Sequence, residues 1–340
     1  MRKFKEIISV ALIFTLLFTV STFSPYAADD KNEVYIGGEA FGVKFYANGA
    51  MIIKLESYYD GEKYVCPAKD GGLKVNDIIK KVNNTKISTN EELKSEIEKS
   101  NGNEITVEID RNGKIENKTL LPIKNTVGVY LLGAWVRDSC AGIGTMTYYD
   151  DSHNYFAALG HGICDCDTAA LLPLKSGETV QAQISGIDKS ICGKAGSFCG
   201  YFTDVRLGNL SVNSPLGIFG DLTSENYKRN KKYLIANDDE VKTGKAVMVT
   251  TLVGDTPQEY EIEIKRICNR DMTSNENFVI KITDSRLLEN CGGIVQGMSG
   301  SPIVQNGKIV GAVTHVFLNN PREGYGVFAQ YMAECYNNQH

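Results

Sequence analysis

The residues most able to do chemistry lie in a short glycine-containing stretch near the C-terminal end, Gly297-Met298-Ser299-Gly300-Ser301-Pro302. A nucleophilic serine must be exposed on a tight turn, with backbone N–H groups nearby that face the developing oxyanion. Glycines on both sides of the serine allow such a turn, because glycine adopts backbone conformations that other residues avoid. The stretch therefore predicts a serine nucleophile at Ser299, with acyl transfer as its chemistry.

The same stretch is similar to the GDSGGP signature of trypsin-like peptidases, from which it departs at Met298 and Ser301. In that alignment Ser299 is the nucleophile, the N–H groups of Gly297 and Ser299 form the oxyanion hole, and Ser301 is secondary. The G-x-S-x-G elbow of α/β-hydrolases fits less well, because Ser301 stands where its second glycine belongs. We therefore interpret the site as one of the trypsin-like type.

A serine nucleophile needs a base, and the chain has four histidines. His161 follows the apolar run Ala157–Leu159 and is bracketed by glycines, so its ring can face a cleft. His315 lies on a predicted strand after the nucleophile and is the alternative, whereas His153 is in a polar turn and His340 is the last residue. Because nucleophile and base must meet in space, we predict His161 as the base.

The acid of a triad has two candidates. Asp284 directly follows the predicted strand Phe278–Ile282 and shortly precedes Ser299. A carboxylate on a loop tied closely to the nucleophile can orient an imidazole. Asp204 lies between His161 and Ser299 in the sequence and is the competitor.

The N-terminus has the pattern of an export signal. Arg2, Lys3 and Lys5 form a positive region, and no charged residue follows between positions 7 and 28. This apolar stretch approaches the ~20 residues that span a bilayer, so residues 1–28 are either a signal peptide or a membrane anchor. The rest of the chain is therefore expected to work outside the cytoplasm, in association with the membrane.

Residues 29–124 form the first predicted domain, in which strands surround one capped helix. Ser88-Thr89-Asn90-Glu91 is a capping box that predicts a helix to about Lys99. This order resembles a PDZ domain, with Gly38–Val43 at the position of the carboxylate-binding loop. The resemblance implies that a peptide or C-terminus adds as a strand beside Phe41, Gly42, Val43, Lys44 and Phe45. A spacer domain without a ligand is the alternative.

Residues 125–335 form the second predicted domain, in which short apolar runs alternate with turn residues such as Asn306-Gly307. Many short strands separated by turns favour a β-barrel or a sandwich. The predicted fold class is therefore mainly β: a PDZ-like α+β domain is followed by a trypsin-like double β-barrel peptidase domain.

Composition narrows the function further. The net charge of -5 argues against a nucleic-acid partner, which would require clustered lysine and arginine. Nine cysteines cannot all pair within one chain. A zinc-stabilised module built on Cys164 and Cys166 is an alternative, but their spacing is not that of a familiar zinc site. We therefore predict neither a metal nor a cofactor.

Longer stretches carry a more specific resemblance. Residues 142–163, 208–220 and 279–327, with the order of export segment, PDZ domain and peptidase, resemble the SpoIVB peptidase (stage IV sporulation protein B) family. The resemblance places the family's catalytic histidine, aspartate and serine on His161, Asp284 and Ser299. It implies a serine endopeptidase that cleaves itself near its N-terminus and cleaves the exposed part of a membrane-protein complex.

The resemblance also implies where the peptidase acts and what its cleavage activates. Such peptidases act in the space between the two forespore membranes, and cleavage leads to activation of a late sigma factor in sporulation. The alternative from another functional class is a non-catalytic scaffold that holds a membrane signalling complex through its PDZ domain. Loss of Ser299 would abolish the function of a peptidase but would leave that of a scaffold intact.

Overall fold

The structure is a computed structural model that describes residues 33–223, 227 and 229–338. The predicted export segment at residues 1–28 lies outside the described residues, and so does His340. In the part of the chain that is described, none of the helices has both the length and the apolar character needed to cross a bilayer.

The described chain consists mainly of strands, with a few short helices. The strands are β1 (Glu33–Ile36), β2 (Ala40–Leu55), β3 (Tyr58–Tyr59), β4 (Tyr64–Val65), β5 (Ile78–Val82), β6 (Thr85–Lys86), β7 (Ile105–Arg111), β8 (Lys114–Leu120), β9 (Ile123–Lys124), β10 (Tyr130–Leu131), β11 (Ala134–Asp150), β12 (Tyr155–Ala158), β13 (Leu174–Asp188), β14 (Ser197–Ser214), β15 (Gly217–Leu222), β16 (Lys232–Ile235), β17 (Gly244–Thr250), β18 (Gln258–Ile267), β19 (Phe278–Ile282), β20 (Pro302–Gln305), β21 (Lys308–Phe317) and β22 (Asn320–Phe328). The helices are α1 (Pro67–Asp70), α2 (Asn90–Lys99), α3 (Ser285–Cys291) and α4 (Ala329–Asn337), and a 3₁₀ turn covers Asp238–Glu240.

Six strands close into a first antiparallel barrel. Their order is β2, β11, β12, β15, β14 and β13, and β13 pairs with β2 again to complete the ring. Alternate side chains of each strand point inward and fill the interior, as small barrels require. Phe41, Phe45 and Phe156 are among the fully buried side chains there.

Six later strands close into a second barrel. Their order is β17, β18, β19, β22, β21 and β20, and β20 pairs with β17. Phe278, Ile280 and Ile303 are fully buried in its core, and helix α4 contributes Met332 to the same apolar cluster. Two closed six-stranded barrels in sequence confirm the predicted double β-barrel.

A smaller unit packs one helix on a sheet, and we call it the PDZ-like unit. Its sheet consists of the second half of β2 with β5, β7 and β8, and β6 extends it. Helix α2 buries Leu93 and Ile97 against this sheet. Its capping box uses Thr89 and Glu92, whose side chains each accept a backbone N–H of the other residue. The predicted helix is confirmed, and the box begins at Thr89 instead of Ser88.

Strand β2 belongs to both the first barrel and the PDZ-like unit. Up to Ala47 it pairs with β13 inside the barrel, and from Ala50 it pairs with β5 in the PDZ-like sheet. Strand β1 also pairs with a barrel strand, β11. Residues 40–47, which the sequence analysis placed in the PDZ-like domain, therefore contribute a strand to the first barrel.

The predicted peptide-binding edge at Phe41–Phe45 is absent. Over these residues β2 pairs with β11 on one side and with β13 on the other. A strand whose two edges are both hydrogen-bonded cannot accept a further strand, because strand addition needs a free edge. Phe41, Val43 and Phe45 point into the barrel core, and Gly42 and Lys44 alternate with them. The alternation correctly indicated a half-buried strand, but it could not show which neighbours cover the strand edges.

Candidate active site

A cleft of about 850 Å³ is lined by residues of both barrels. The first barrel contributes His161 and the nearby residues of β11, and the second contributes Gly297, Ser299 and His315. The structure thus brings together the predicted nucleophile, the predicted base and the predicted oxyanion donors. The alternative base lies in the same cleft.

The turn that carries Ser299 depends on its two glycines. Gly297 has φ +103° and Gly300 has φ +94°, which is a conformation that L side chains rarely adopt. A Cβ atom on Gly300 would lie 2.0 Å from the carbonyl oxygen of Thr145, and one on Gly297 would lie 2.5 Å from the ring of Phe198. The backbone and the close packing therefore both require glycine at these two positions.

The two predicted oxyanion donors are the N–H groups of Gly297 and Ser299 in this turn. The carbonyl of Gln296 accepts a hydrogen bond from the N–H of Phe198, at 2.9 Å, and the carbonyl of Met298 accepts one from Ser301, also at 2.9 Å. Within a trans peptide the N–H points opposite to the C=O. The N–H groups of Gly297 and Ser299 are therefore directed away from these contacts, and no hydrogen bond to another described residue engages either of them.

Strand β11 fixes the position of the turn through two threonines that the sequence interpretation missed. The Thr145 hydroxyl donates to the Gly297 carbonyl at 2.7 Å, and the Thr147 hydroxyl donates to the Gly300 carbonyl at 2.8 Å. The Thr145 N–H also donates to the Ser299 carbonyl at 3.0 Å. Both side chains are buried. Polar residues at alternate positions of an otherwise apolar strand were the available signal, since buried hydroxyl groups need partners.

His161 is presented by a strained turn at the end of β12. Leu159 and Gly160 both have φ +67°, so the chain reverses sharply just before the histidine. Its Nδ1 lies 2.8 Å from the carbonyl oxygen of Gly162. A carbonyl oxygen only accepts, so Nδ1 carries the proton and Nε2 is left as the basic nitrogen. The tautomer that a general base requires is thus set by the backbone of the next residue.

The surroundings of His161 keep its ring neutral. Burial lowers its pKa from the ordinary value of 6.5 to about 4, the hydrogen bond to Gly162 partly opposes this, and His315 lowers the pKa further. The two rings are 5.0 Å apart between centroids and tilted by 35°. Burial also lowers the pKa of His315. Two imidazoles this close disfavour a positive charge on either ring.

Ser299, and not Ser301, faces the cleft. The Ser299 hydroxyl is partly exposed and donates to the Thr314 carbonyl at 2.7 Å. Ser301 is fully buried behind the turn and does not line the cleft. In this structure the Ser299 hydroxyl is therefore hydrogen-bonded to a backbone carbonyl.

Neither predicted acid reaches the histidine. Asp284 caps helix α3, where its carboxylate accepts from the N–H groups of Arg286 and Leu287 and pairs with the Arg286 guanidinium at 2.8 Å. This guanidinium is the main reason that its pKa falls to about 2. Asp284 does not line the cleft, and Asp204 is exposed on β14 outside it. The assignment of Asp284 to the triad is not supported by this geometry, because its carboxylate is committed to the start of a helix.

The alternative zinc position is filled by a side-chain cation. Arg137 donates to the carboxylates of Asp165 and Asp167, the latter at 2.8 Å, and to the sulfur of Cys166 at 3.5 Å. These three side chains are the group whose ligand atoms lie close enough for a metal. The single guanidinium offsets one of the two carboxylate charges of this group. Cys164, the other proposed ligand, is exposed.

Solved structures of several proteases are similar to this chain. The Rv3671c protease from M. tuberculosis in its active form is 14% identical over 57% of this chain and 72% of its own, with a TM-score of 0.34. The HtrA-type protease AlgW with a tripeptide is 13% identical over 58% of this chain and 56% of its own, with a TM-score of 0.36. The chain thus matches less than two thirds of the AlgW chain. Deg5 is 10% identical over 57% of this chain and 81% of its own, with a TM-score of 0.34.

Two family models match separate parts of the sequence. The model described as SpoIVB peptidase S55 matches residues 128–333, which is more than half of the chain. The model described as PDZ domain matches residues 63–121, which lie within the PDZ-like unit. The first match contains both His161 and Ser299.

Proposed function

We propose, from the premise that this chain belongs to the SpoIVB peptidase S55 family, that its serine endopeptidase chemistry is carried by Ser299 as nucleophile and His161 as general base. One observation supports this assignment above others. Ser299 and His161 line the same cleft, beside two backbone N–H groups that have no other partner among the described residues.

The first half of the reaction forms an acyl-enzyme. The Ser299 hydroxyl leaves the Thr314 carbonyl, and Nε2 of His161 takes its proton as the oxygen attacks the peptide carbonyl. The carbonyl oxygen becomes an oxyanion, which the N–H groups of Gly297 and Ser299 stabilise. The protonated His161 then gives its proton to the leaving amine, and the peptide bond breaks.

The second half releases the acid product. His161 takes a proton from a water molecule, which attacks the acyl carbon, and the same two N–H groups hold the second oxyanion. The proton returns to Ser299 as the ester bond breaks. Throughout, the Gly162 carbonyl keeps the proton on Nδ1, a role that a triad carboxylate fills elsewhere. The geometry thus supports a Ser–His pair oriented by the backbone.

The cellular role belongs to the same proposal. The peptidase is exported, stays at the membrane through residues 1–28, and acts in the space between the forespore membranes. There it cleaves itself and the exposed part of a membrane-protein complex, which leads to late sigma-factor activation in sporulation. The family membership and the positively charged, then apolar, N-terminus support this role.

Self-cleavage provides the simplest test. Residues 29–340 would be followed by intact-mass measurement over time, as wild type and as Ser299→Ala. We expect N-terminal fragments from the wild type alone, with the mass of each fragment giving the cleavage site. Fragments from both proteins would overturn the assignment of Ser299. If the wild-type protein stays intact, it would then be mixed with candidate membrane-protein ectodomains. A failure to cleave any of these ectodomains would contradict the proposed role.

A further inference from the structure

The cleft brings two imidazole rings together, and the proposed mechanism uses only one of them. His161 from the first barrel and His315 from strand β21 of the second barrel both line it. Their ring centroids are 5.0 Å apart, and the ring planes are tilted by 35°. His315 is not among the buried residues of its barrel, so packing in the core does not account for it. The second histidine is therefore available for a function of its own.

The spacing of the two rings matches that of two histidines bound to one zinc ion. A Zn–N bond is about 2.0–2.1 Å long, and the ligands of zinc are arranged tetrahedrally around it. With this bond length and angle, the ring centroids of two imidazoles on one ion lie roughly 5 Å apart. The two barrels thus already hold His161 and His315 at the distance that a shared ion requires.

The hydrogen bond of His161 is the one that metal-binding histidines make. Its Nδ1 donates to the Gly162 carbonyl at 2.8 Å, which leaves the lone pair on Nε2. A histidine that binds a metal almost always donates its other ring N–H to a carbonyl, a carboxylate or water, and this contact fixes the ring and makes the binding nitrogen more basic. The contact that prepares Nε2 to accept the Ser299 proton therefore also prepares it to bind zinc.

His315 can supply the second nitrogen without giving up another contact. None of the hydrogen bonds among the described residues engages its ring. The cleft around the two rings is large, at about 850 Å³, so water molecules can occupy the remaining positions around an ion. Imidazole suits zinc, copper and nickel, whereas magnesium and calcium prefer oxygen ligands. The pair therefore favours a cation of the zinc type.

This position differs from the group of Asp165, Cys166 and Asp167. The Arg137 guanidinium contacts all three of those side chains, and its positive charge repels a second cation at the same place. None of the described residues that line the cleft is a lysine or an arginine. The histidine pair therefore offers nitrogen ligands without a cation hydrogen-bonded to them.

We propose that Nε2 of His161 and a ring nitrogen of His315 bind one zinc ion, and that this ion is a reversible inhibitor of the peptidase. A zinc-bound Nε2 has no lone pair with which to take the Ser299 proton, so the serine is not activated until the ion leaves. The inhibition rests on the proposed role of His161 as the base. Zinc binding itself does not depend on that role, and the two are tested separately.

Binding is measured on the whole chain as Ser299→Ala, by equilibrium dialysis against a chelating buffer that fixes free Zn²⁺, with the thiols kept reduced. His161→Gln, His315→Gln and the double variant are compared with His153→Gln, because His153 lies outside the cleft and pairs with Asp150. We expect the first three to lose the same single equivalent of zinc and His153→Gln to lose none. All variants keep the nine cysteines, so zinc bound by thiols cancels in the comparison. Equal zinc in every variant, or losses that add up in the double variant, would overturn the shared site.

Inhibition is measured on protein that retains Ser299, by following peptide hydrolysis as free Zn²⁺ is raised, with Mg²⁺ as the control for charge alone. Loss of a residue that only hydrogen-bonds a metal-bound histidine costs roughly 10–100-fold in metal affinity, and loss of a direct ligand costs at least as much. We therefore expect His315→Gln to need at least roughly tenfold more Zn²⁺ for half-inhibition than His153→Gln, and Mg²⁺ not to inhibit.

Two results would refute the inhibitory site. One is equal sensitivity of His315→Gln and His153→Gln to Zn²⁺. The other is resistance of Cys166→Ser in place of His315→Gln, which would locate the ion at the group around Arg137. A wild-type protein that hydrolyses no peptide even without zinc would contradict the proposed function instead, and the dialysis result would still decide whether the two histidines share an ion.

Discussion

At the residue scale, the proposed site pairs the half-buried His161 with a backbone carbonyl, where trypsin-like enzymes have a carboxylate. The Gly162 carbonyl fixes the Nδ1–H tautomer of His161, at 2.8 Å. A carbonyl is neutral, so it stabilises the imidazolium that forms in the transition state less than an aspartate does. The low pKa of His161 is consistent with this, because none of the described carboxylates compensates for burial of the charged ring.

This environment predicts an acid-tolerant peptidase. Only neutral His161 accepts the serine proton, and lowering its pKa to about 4 extends the neutral form to lower pH. At pH 5 the base stays mostly neutral, whereas an imidazole of pKa ~6.5 would be neutral in only roughly 3% of molecules. We expect kcat/KM to be nearly constant from pH 7 to 5 and to fall below about pH 4.

The pH profile would be measured with a peptide substrate that does not titrate in this range. Circular dichroism at each pH would confirm that the protein stays folded, and Ser299→Ala would give the background rate. A midpoint near 6.5 for the acidic limb would contradict a His161 whose pKa is lowered by its surroundings. It would indicate that a carboxylate approaches the ring when substrate is bound.

At the element scale, Asp284 is explained by the helix that it begins. Its carboxylate accepts hydrogen bonds from two N–H groups in the first turn of α3. At the other end, Gly292 with φ +73° terminates the helix. Helix N-termini leave N–H groups without partners, and an aspartate at the cap satisfies them. The strand-end position read from the sequence was correct, but the chain uses this carboxylate to start a helix.

A helix-capping role and a catalytic role for Asp284 predict different effects of substitution on stability and activity. Asparagine is as good an N-cap as aspartate, whereas alanine costs about 1 kcal/mol in the free energy of unfolding. We therefore expect Asp284→Ala to lower Tm and Asp284→Asn to lower it less, with kcat/KM of both folded proteins within a few-fold of the wild type. Thermal melts and peptide hydrolysis at 20 °C would be compared. A triad acid would instead give a loss of about 10⁴ in kcat for Asp284→Asn without a matching loss of stability.

At the scale of the whole molecule, strand β2 joins the two regions into one structure. Its first half closes the first barrel between β11 and β13, and its second half opens the PDZ-like sheet. Strand β11 makes the same connection in the reverse direction, from Ala134, which lies opposite Leu55, to Thr145, whose hydroxyl donates to the Gly297 carbonyl. The peptidase and PDZ-like regions therefore share strands and are not independent domains on a linker.

Sharing of β2 predicts that residues 125–335 do not fold alone. Without β2 the first barrel loses one of its six strands and the fully buried Phe41 and Phe45. Each such side chain contributes about 1.5–3 kcal/mol, against a typical net stability of 5–15 kcal/mol. We expect residues 34–335, as Ser299→Ala, to give a cooperative thermal transition and residues 125–335 to give none. A sharp transition for the shorter protein would show that β2 is dispensable for the barrel.

The sequence by itself determined the chemistry and the class of fold. Ser299 between glycines, His161 at the end of a strand, and the hairpin turns are local signals, because turn backbones and strand alternation depend on neighbouring residues. The capping box likewise predicted α2 to within one residue of its start. These features were confirmed where the structure describes them.

Only the tertiary structure decided which partner each local feature meets. Phe41–Phe45 has the alternation of a half-buried strand, but its edges are covered by β11 and β13, which come about 90 residues or more later in the chain. Nothing in the sequence shows the partners of Asp284, and the structure shows that its carboxylate accepts hydrogen bonds from the N–H groups of its own helix and from the Arg286 guanidinium. The partner of Thr145 is likewise distant in the sequence, since its hydroxyl donates to the carbonyl of Gly297, which precedes the strands β20–β22 of the other barrel. Strand pairing and hydrogen bonding between distant segments are set by the closed topology, which local periodicity does not encode.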